Sequence, residues 1–567
     1  MKKILSICLA LCIIFALTAC GAGGGDTTTP QGTQNQGQQG GTTPQAQGGG
    51  GGGDAVPTAG HPDSIFRVTQ TVMPRIDPAL ATDFASNIIF INVYDSLVFP
   101  TPDGNVIPWV AESWTTSDDG RQWYFTLRQD VFFHSGNKLT AHDVVYSMER
   151  LLTIGEGYAF LFFTHLESVE AISDYVVRFT TYTPYGPFLN SLVRFYILDS
   201  ELMMANHVVP GDFGDMGDYG RTFLLENSAG SGPYFVESVA TNISVTGRKF
   251  QDYWAGHGPN VPERFIVFSS NDPVTVRTAM SRQEQESADM WQTTENIAAM
   301  LASDDTLALA YNYTGGGLNL FMNNQRPPLD CVYVRQAMGY LIDYDTVLNH
   351  ILPGSRLKTS VIPSNLLGHT PTFNFEFNPE RARAILANSR YANDIGNMSI
   401  DLIWNSESAD REKVALMIQA AAMQIGLTIN IVELPWSSIV ANSADVNTSP
   451  MMSLVSITPV TSDAGAQFVA MFRSRPVGTW ESQTWAMDPV LDEMIDAAVT
   501  IVDINARAEA YREIQRYVAE RFMFIPMTES PERLVHQASY VYLNPQIGMQ
   551  GFSFYFPHTR VYPERRR

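Results

Sequence analysis

Cysteine is nearly missing from this chain: 567 residues hold four, and three of them (Cys8, Cys12, Cys20) fall in the first twenty positions. Only Cys331 lies in the globular part, so a disulfide framework is excluded and stability must come from packed apolar cores. Basic charge is scarce as well. Lys and Arg total 36 against 58 Asp and Glu, a formal net charge of −22. No basic run exists beyond Arg565, Arg566 and Arg567, which argues against nucleic acid as a partner, because phosphate binding needs clustered cations. Long apolar runs are limited to Ile4–Leu17. As a helix that run spans about 21 Å, short of the roughly 30 Å hydrocarbon core, so a secretory signal is the better reading than a permanent membrane helix. Catalytic signatures are missing too: the sequence has no HExxH, Walker A, GxSxG or CxxC, and no GxGxxG after a strand.

What is present begins with Lys2 and Lys3 ahead of the apolar run, the layout of a signal peptide over residues 1–19. The quartet Leu17-Thr18-Ala19-Cys20 resembles a bacterial lipobox, which implies lipidation of Cys20 and cleavage just before it. The alternative is an ordinary cleavage site that happens to hold a cysteine. Residues 20–60 are mostly Gly, Gln, Thr and Pro, with six consecutive glycines at 48–53. Such a segment buries too little apolar surface to offset chain entropy and reads as a tether reaching about 35 Å.

From His61 onward, strand-like and helix-like pieces alternate with no second low-complexity linker, so domains are expected to be interleaved rather than beaded. Trp123, Phe125 and Leu127 alternate to one side of a strand. After a turn at Ser135 and Gly136, Thr140 and Asp143 have capping-box spacing, and Val144, Met148, Leu151 and Leu152 form the apolar face of the helix that follows. The clearest unit is a βαβ: Ile400, Leu402 and Trp404 on a strand; Val414, Met417, Ile418, Ala421, Ala422 and Ile425 at helical spacing up to Gly426; then Leu427, Ile429 and Ile431 alternating. A connection of that length predicts parallel strands. A further helix carries Tyr511, Ile514, Val518 and Phe522 on one face ahead of Pro526. The predicted class is α/β with mixed sheets.

Two constellations invite a metal. His134 and His142 bracket a strand end and a helix start, and Asp212, Asp215 and Asp218 recur at intervals of three. The first reads better as two turn residues, and the second as a solvated acidic loop that lacks EF-hand spacing and its later Glu. No metal and no cofactor are expected.

Several pieces together resemble the extracellular solute-binding proteins of the peptide/nickel class (family 5) that serve ABC importers: "IDPAL" with "VYDSLVF" at 76–99, "GNVIPWVAESWTTSDDGRQWYFTLRQDVFFHSGNKLTAHDVVYSMERL" at 104–151, "GSGPYFVESV" at 230–239, "LNLFMNNQRPPLDCVYVRQAMGYLID" at 318–343, and "PERARAIL" at 379–386. The resemblance covers residues 65 to about 545. It implies a two-lobed periplasmic-binding-protein-like fold of type II, with lobe I built from 61–98, 230–314 and 531–567, an extra subdomain at 99–229 and lobe II at 315–530. The chain crosses between lobes near Tyr313–Gly317 and Ser530, where Gly315, Gly316 and Gly317 suit a hinge. The resemblance further implies a monomeric receptor on the outer face of the membrane, lipid-anchored, partnered by an ABC permease and its ATPase subunits.

In peptide-binding relatives an aspartate pairs with the ligand's amino terminus, and a tryptophan some twenty residues earlier lines a side-chain pocket. Trp436 in "ELPWSSI" falls at the tryptophan position. Anchored on Phe468, the aspartate position falls on Thr461, and the nearest carboxylate is Asp463. A peptide ligand therefore requires Asp463 or another acid, because a buried ammonium without a counter-charge is costly. Asn323 in "FMNNQ" and Trp291 in "ADMW" are further candidates, while Trp404 is expected in the core. A neutral ligand such as an oligosaccharide, stacked on tryptophans that include Trp480 and Trp485, is the alternative. A surface-anchored hydrolase is the remaining one.

Overall fold

The computed structural model describes residues 64–102, 104–270, 272–406, 408–474, 478–544, 549 and 551–566. The signal sequence, Cys20 and the glycine-rich tether lie outside the described residues. Among those described, no helix is long and apolar enough to cross a membrane.

Three sheets organise the chain. In the first, strand Ile65–Gln70 pairs in parallel with Arg264–Ser269, which continues antiparallel to Ser244–Lys249 and then Tyr234–Ala240. Ser287 bridges this sheet, through Val68 and His536, to the antiparallel pair Leu307–Asn312 and Glu532–Gln537. Residues far apart in sequence thus share one sheet, as interleaved domains require.

The second sheet is antiparallel, in the order Ala111–Thr116, Gln122–Leu127, Val176–Thr181, Leu166–Ser173. Trp123, Phe125 and Leu127 are buried, as their alternation predicts. Helix Ala141–Ile154 packs on this sheet, and its start is set locally: Asp143 Oδ2 accepts from Thr140 N at 2.8 Å, completing the capping box. Val144, Met148 and Leu151 are buried and Leu152 packs at the margin. One apolar core runs under both sheets around helix Phe84–Val93, every residue of which is buried.

The third sheet has five strands, ordered Thr428–Leu434, Ser399–Asn405, Met452–Ile457, Gly317–Met322, Phe524–Pro526. Its first three strands are parallel, and Ser399↔Thr428 through Asn405↔Leu434 are in register on either side of helix Ala409–Gln424. This is the predicted βαβ unit, closed at Gly426, whose φ of +79° suits glycine. Side chains alternate between two cores: Leu318, Leu320 and Met322 face one, Phe321 the other. Helix Ile504–Glu520 lays Tyr511, Ile514 and Val518 into the second core. Phe522 sits beyond that helix, in a turn with φ +46°, rather than on its face.

The chain passes between the first and third sheets twice, at the same place. Strand Leu307–Asn312 leads through 313–316 into Gly317–Met322, and the return runs from Phe524–Pro526 through Thr528–Glu529 to Glu532–Gln537. The two passages touch: Ser530 N donates to Gly316 O at 2.7 Å. A Cβ at Gly317 would lie 1.7 Å from Thr528 O, so only glycine allows the approach.

Candidate functional site

Two parts of the molecule face each other next to these passages. The parallel strands of the third sheet end toward this face, followed by helix Trp436–Asn442 after one strand and by segment 458–464 with helix Gly465–Phe472 after another. Opposite lie residues 185–194 and the start of helix Thr294–Ser303. Polar contacts join the two walls: Asn190 Nδ2 donates to Ser462 Oγ at 2.7 Å, Arg194 Nε to Val460 O at 2.8 Å, and Gly186 N to Val499 O at 2.8 Å. On another edge Lys413 Nζ lies 3.2 Å from Glu295 Oε1.

Asp463 is at this seam but is directed inward. Its Oδ1 accepts from Tyr511 OH at 2.6 Å and from Gly465 N at 2.8 Å, and its Oδ2 from Arg507 Nε at 3.0 Å. The side chains of Arg507 and Asp463 are 3% and 1% exposed. Burial and the adjoining carboxylate hold the Tyr511 phenol well above its ordinary range, so it stays a donor. With both oxygens engaged, a ligand ammonium could take this carboxylate only by displacing Arg507 or Tyr511. Thr461 is buried beside it, donating its hydroxyl to Asp463 O at 3.2 Å. Arg507 Nη1 also donates to Ile501 O and Val502 O, at 2.8 and 2.9 Å, so one cation ties segment 458–464 to the residues that follow helix Pro489–Thr500, whose Val499 receives Gly186 N.

Trp436 opens its helix and is half-buried, its ring edge-on to Trp480 at 5.1 Å and 70°. Trp291 is 58% exposed, on a turn that the buried Asp289 shapes by accepting from Trp291 N at 2.7 Å and Gln292 Nε2 at 2.7 Å. Asn323 lies elsewhere. It follows the end of Gly317–Met322 remote from the passages, is fully buried, and donates to Val446 O at 2.9 Å. Trp404 is in the core, as expected.

Neither metal constellation assembles. His134 Nε2 pairs with Gly232 O at 2.9 Å, and burial lowers its pKa to about 4, whereas His142 is an exposed neighbour of Asp174. Asp218 spends its carboxylate on the N–H groups of Val208, Gly220 and Thr222. Among the described residues no group of three metal-ligating side chains forms. Two buried carboxylates that sequence reasoning passed over act as fasteners. Asp77 takes Arg150 in a two-pronged pair at 2.8 and 2.5 Å. Asp95 accepts from Trp109, Ser231, Tyr253 and Trp254, beside a cavity of about 10 Å³, room for one water. Their signal was only that both lie in apolar motifs, "IDPAL" and "VYDSLVF".

Residues 105–479 match the family model described as bacterial extracellular solute-binding proteins, family 5 Middle. A probable D,D-dipeptide-binding periplasmic protein of Escherichia coli is 24% identical over 494 residues, covering 84% of this chain and 89% of its own. An ABC transporter substrate-binding protein, CtaP of Listeria monocytogenes, superposes with a TM-score of 0.76 at 18% identity, covering 88% of this chain and 99% of its own. A periplasmic binding protein of Helicobacter pylori in complex with the peptide STSA gives 0.69 at 20% identity, covering 88% and 98%. The fold is therefore the two-lobed, mixed α/β fold of periplasmic binding proteins.

Proposed function

The chain belongs to the bacterial extracellular solute-binding proteins of family 5, and we propose that it captures an oligopeptide between two closing lobes and hands it to an ABC permease with its ATPase subunits. The relatives are binding proteins of ABC transporters, so the hydrolase alternative lapses. The observation that carries the reading is the paired passage at 313–316 and 530–531, next to two walls that meet through Asn190 with Ser462 and Arg194 with Val460. We place lobe I at 61–98, 230–314 and 531–567, the extra subdomain at 99–229 and lobe II at 315–530. Rotation about the two passages opens and closes the seam, and a ligand that touches both walls shifts the population toward the closed form, which the permease reads.

The peptide assignment rests on the D,D-dipeptide and STSA ligands of two relatives. Trp436 then supplies an apolar wall for a ligand side chain, and the exposed Trp291 is a further ligand contact in this reading. A neutral ligand such as an oligosaccharide is the second reading, favoured by the engagement of Asp463 with Arg507. Thr461 and Asn323, both buried and internally bonded, are left with supporting roles at most. In this reading the protein works as a monomer outside the cytoplasm, held at the membrane by lipid on Cys20, with residues 21–60 as slack. More than one acyl chain is needed for stable anchoring.

Native mass spectrometry of the protein purified from its own host tests the reading. Co-purified peptides are expected, with Trp436→Ala retaining less of them. Finding only sugars would remove the peptide assignment and leave the receptor.

A further inference from the structure

The extra subdomain meets lobe II in a fit that leaves no room for side chains at its tightest point. On the lobe II side Arg507 builds a socket: its Nε holds Asp463 of segment 458–464, and its Nη1 holds the carbonyls of Ile501 and Val502. Residues 184–194 of the subdomain enter it, with Gly186 N donating to Val499 O at 2.8 Å. A Cβ at Gly186 would overlap Ile501 O and Arg507 Nη1, and the three atoms nearest to it all belong to lobe II. The φ of Gly186 is not positive, so its backbone suits alanine and the bar to a side chain is the opposite wall.

The same fit recurs along the seam. A Cβ at Gly104 would lie 3.0 Å from Asn365 O, and one at Gly120 would lie 2.9 Å from Val502 Cγ2. Arg194, fully buried, is fixed on its own side by Asn87 Oδ1 at 3.0 Å while its Nε reaches Val460 O. Val460, Ala466, Val469 and Val502 of lobe II pack against the core beneath the first two sheets. These contacts form between protein atoms and exist only while the walls meet, so they favour the closed form whatever lies in the cleft. The apparent affinity for a ligand scales with the fraction of molecules in the competent form, so a residue that shifts this fraction changes affinity without touching the ligand.

We propose that residues 184–194 and the socket around Arg507 form a clasp between the extra subdomain and lobe II that sets ligand affinity from outside the ligand site, with Gly186 as its fitted point. The clasp rests on the two-lobe reading and deepens it: Asp463, Arg507 and Tyr511 become positioning residues that shape the socket.

Gly186→Ala in the full chain tests this, with Gly396→Ala as control. Hydrogen exchange of the amide at 186 reports opening of the seam, because its acceptor lies on the other wall. Small-angle scattering gives the radius of gyration, and native mass spectrometry the co-purified ligand. Gly186→Ala is expected to speed that exchange about tenfold, to enlarge the radius, and to retain about tenfold less ligand, while its melting temperature matches that of the control. Ser462→Ala, which removes the acceptor of Asn190 Nδ2 from the other wall, is expected to move exchange, radius and ligand in the same direction by a smaller factor. Exchange and radius unchanged in Gly186→Ala would overturn the clasp. So would a fall in its melting temperature as large as that of Gly247→Ala, whose Cβ would overlap the Phe265 ring within the first sheet, because the seam would then be permanent packing. The receptor reading survives either result if the native protein carries ligand, and fails if the native protein carries none.

Discussion

Arg507 Nε lies 3.0 Å from Asp463 Oδ2, with both side chains shut away from solvent. The pair spans 44 residues of sequence and joins the two loops against which residues 185–194 pack. Removing one member leaves the other as an uncompensated buried charge, at a cost of about 3–5 kcal/mol. Asp463→Asn and Arg507→Met are each expected to lower stability by that amount in urea unfolding, and the double variant to recover part of it. If Asp463→Asn were neutral for stability yet abolished binding of free-amine peptides, Asp463 would be a ligand contact after all.

Gly317 has no room for a side chain, because Thr528 O occupies the place of its Cβ. Gly317→Ala must push apart the two passages between sheets, and a loss of about 2–4 kcal/mol is expected. Gly396→Ala serves as the control. Its Cβ would meet nothing closer than Gly426 O at 3.9 Å, and a change within about 0.5 kcal/mol is expected. Equal melting temperatures for the two variants would contradict the close approach.

Glu532 begins the strand that returns to the first sheet and accepts from Asn312 Nδ2, its register partner on the outgoing strand. Burial pushes its pKa from 4.5 up to about 7, against the lowering effect of the Ser553, Asn312 and Gly551 donors. The folded state therefore keeps a proton that the unfolded chain releases between those values. Stability contributed at this site falls as pH rises through the window and is level above it. The unfolding free energy of the native protein minus that of Glu532→Gln should decline from pH 4.5 to 7. A difference independent of pH would show that the carboxyl titrates normally.

What could be read from the sequence is what local physics decides. Thr140 and Asp143 are three residues apart and cap a helix whichever sheet lies beneath it. Ile400, Leu402 and Trp404 carry their own period, which alone puts Trp404 in the core. The site was harder, because its decisive contacts join distant residues. Nothing near Asp463 announces Arg507 and Tyr511, and nothing near Asp95 announces Trp254. Asn323 stands only a few residues past the glycine triplet, yet a straight strand of six residues carries it to the far end of the sheet. Phe522 follows the helical period of its predecessors, but the helix ends at Glu520 and a left-handed turn takes over.

The seam between the walls is fastened partly through main-chain atoms: Arg194 donates to the carbonyl of Val460, and Gly186 N to that of Val499. Any amino acid supplies a carbonyl. Positions 460 and 499 are therefore free to change identity without losing these bonds, whereas the donor Arg194 is not. Gly186 is equally constrained, since an added Cβ would lie 2.1 Å from Ile501 O. At these two bonds the chemical demand falls on one side of the seam only, whereas where Asn190 meets Ser462 both side chains are needed, so the seam tolerates drift bond by bond rather than along a whole wall.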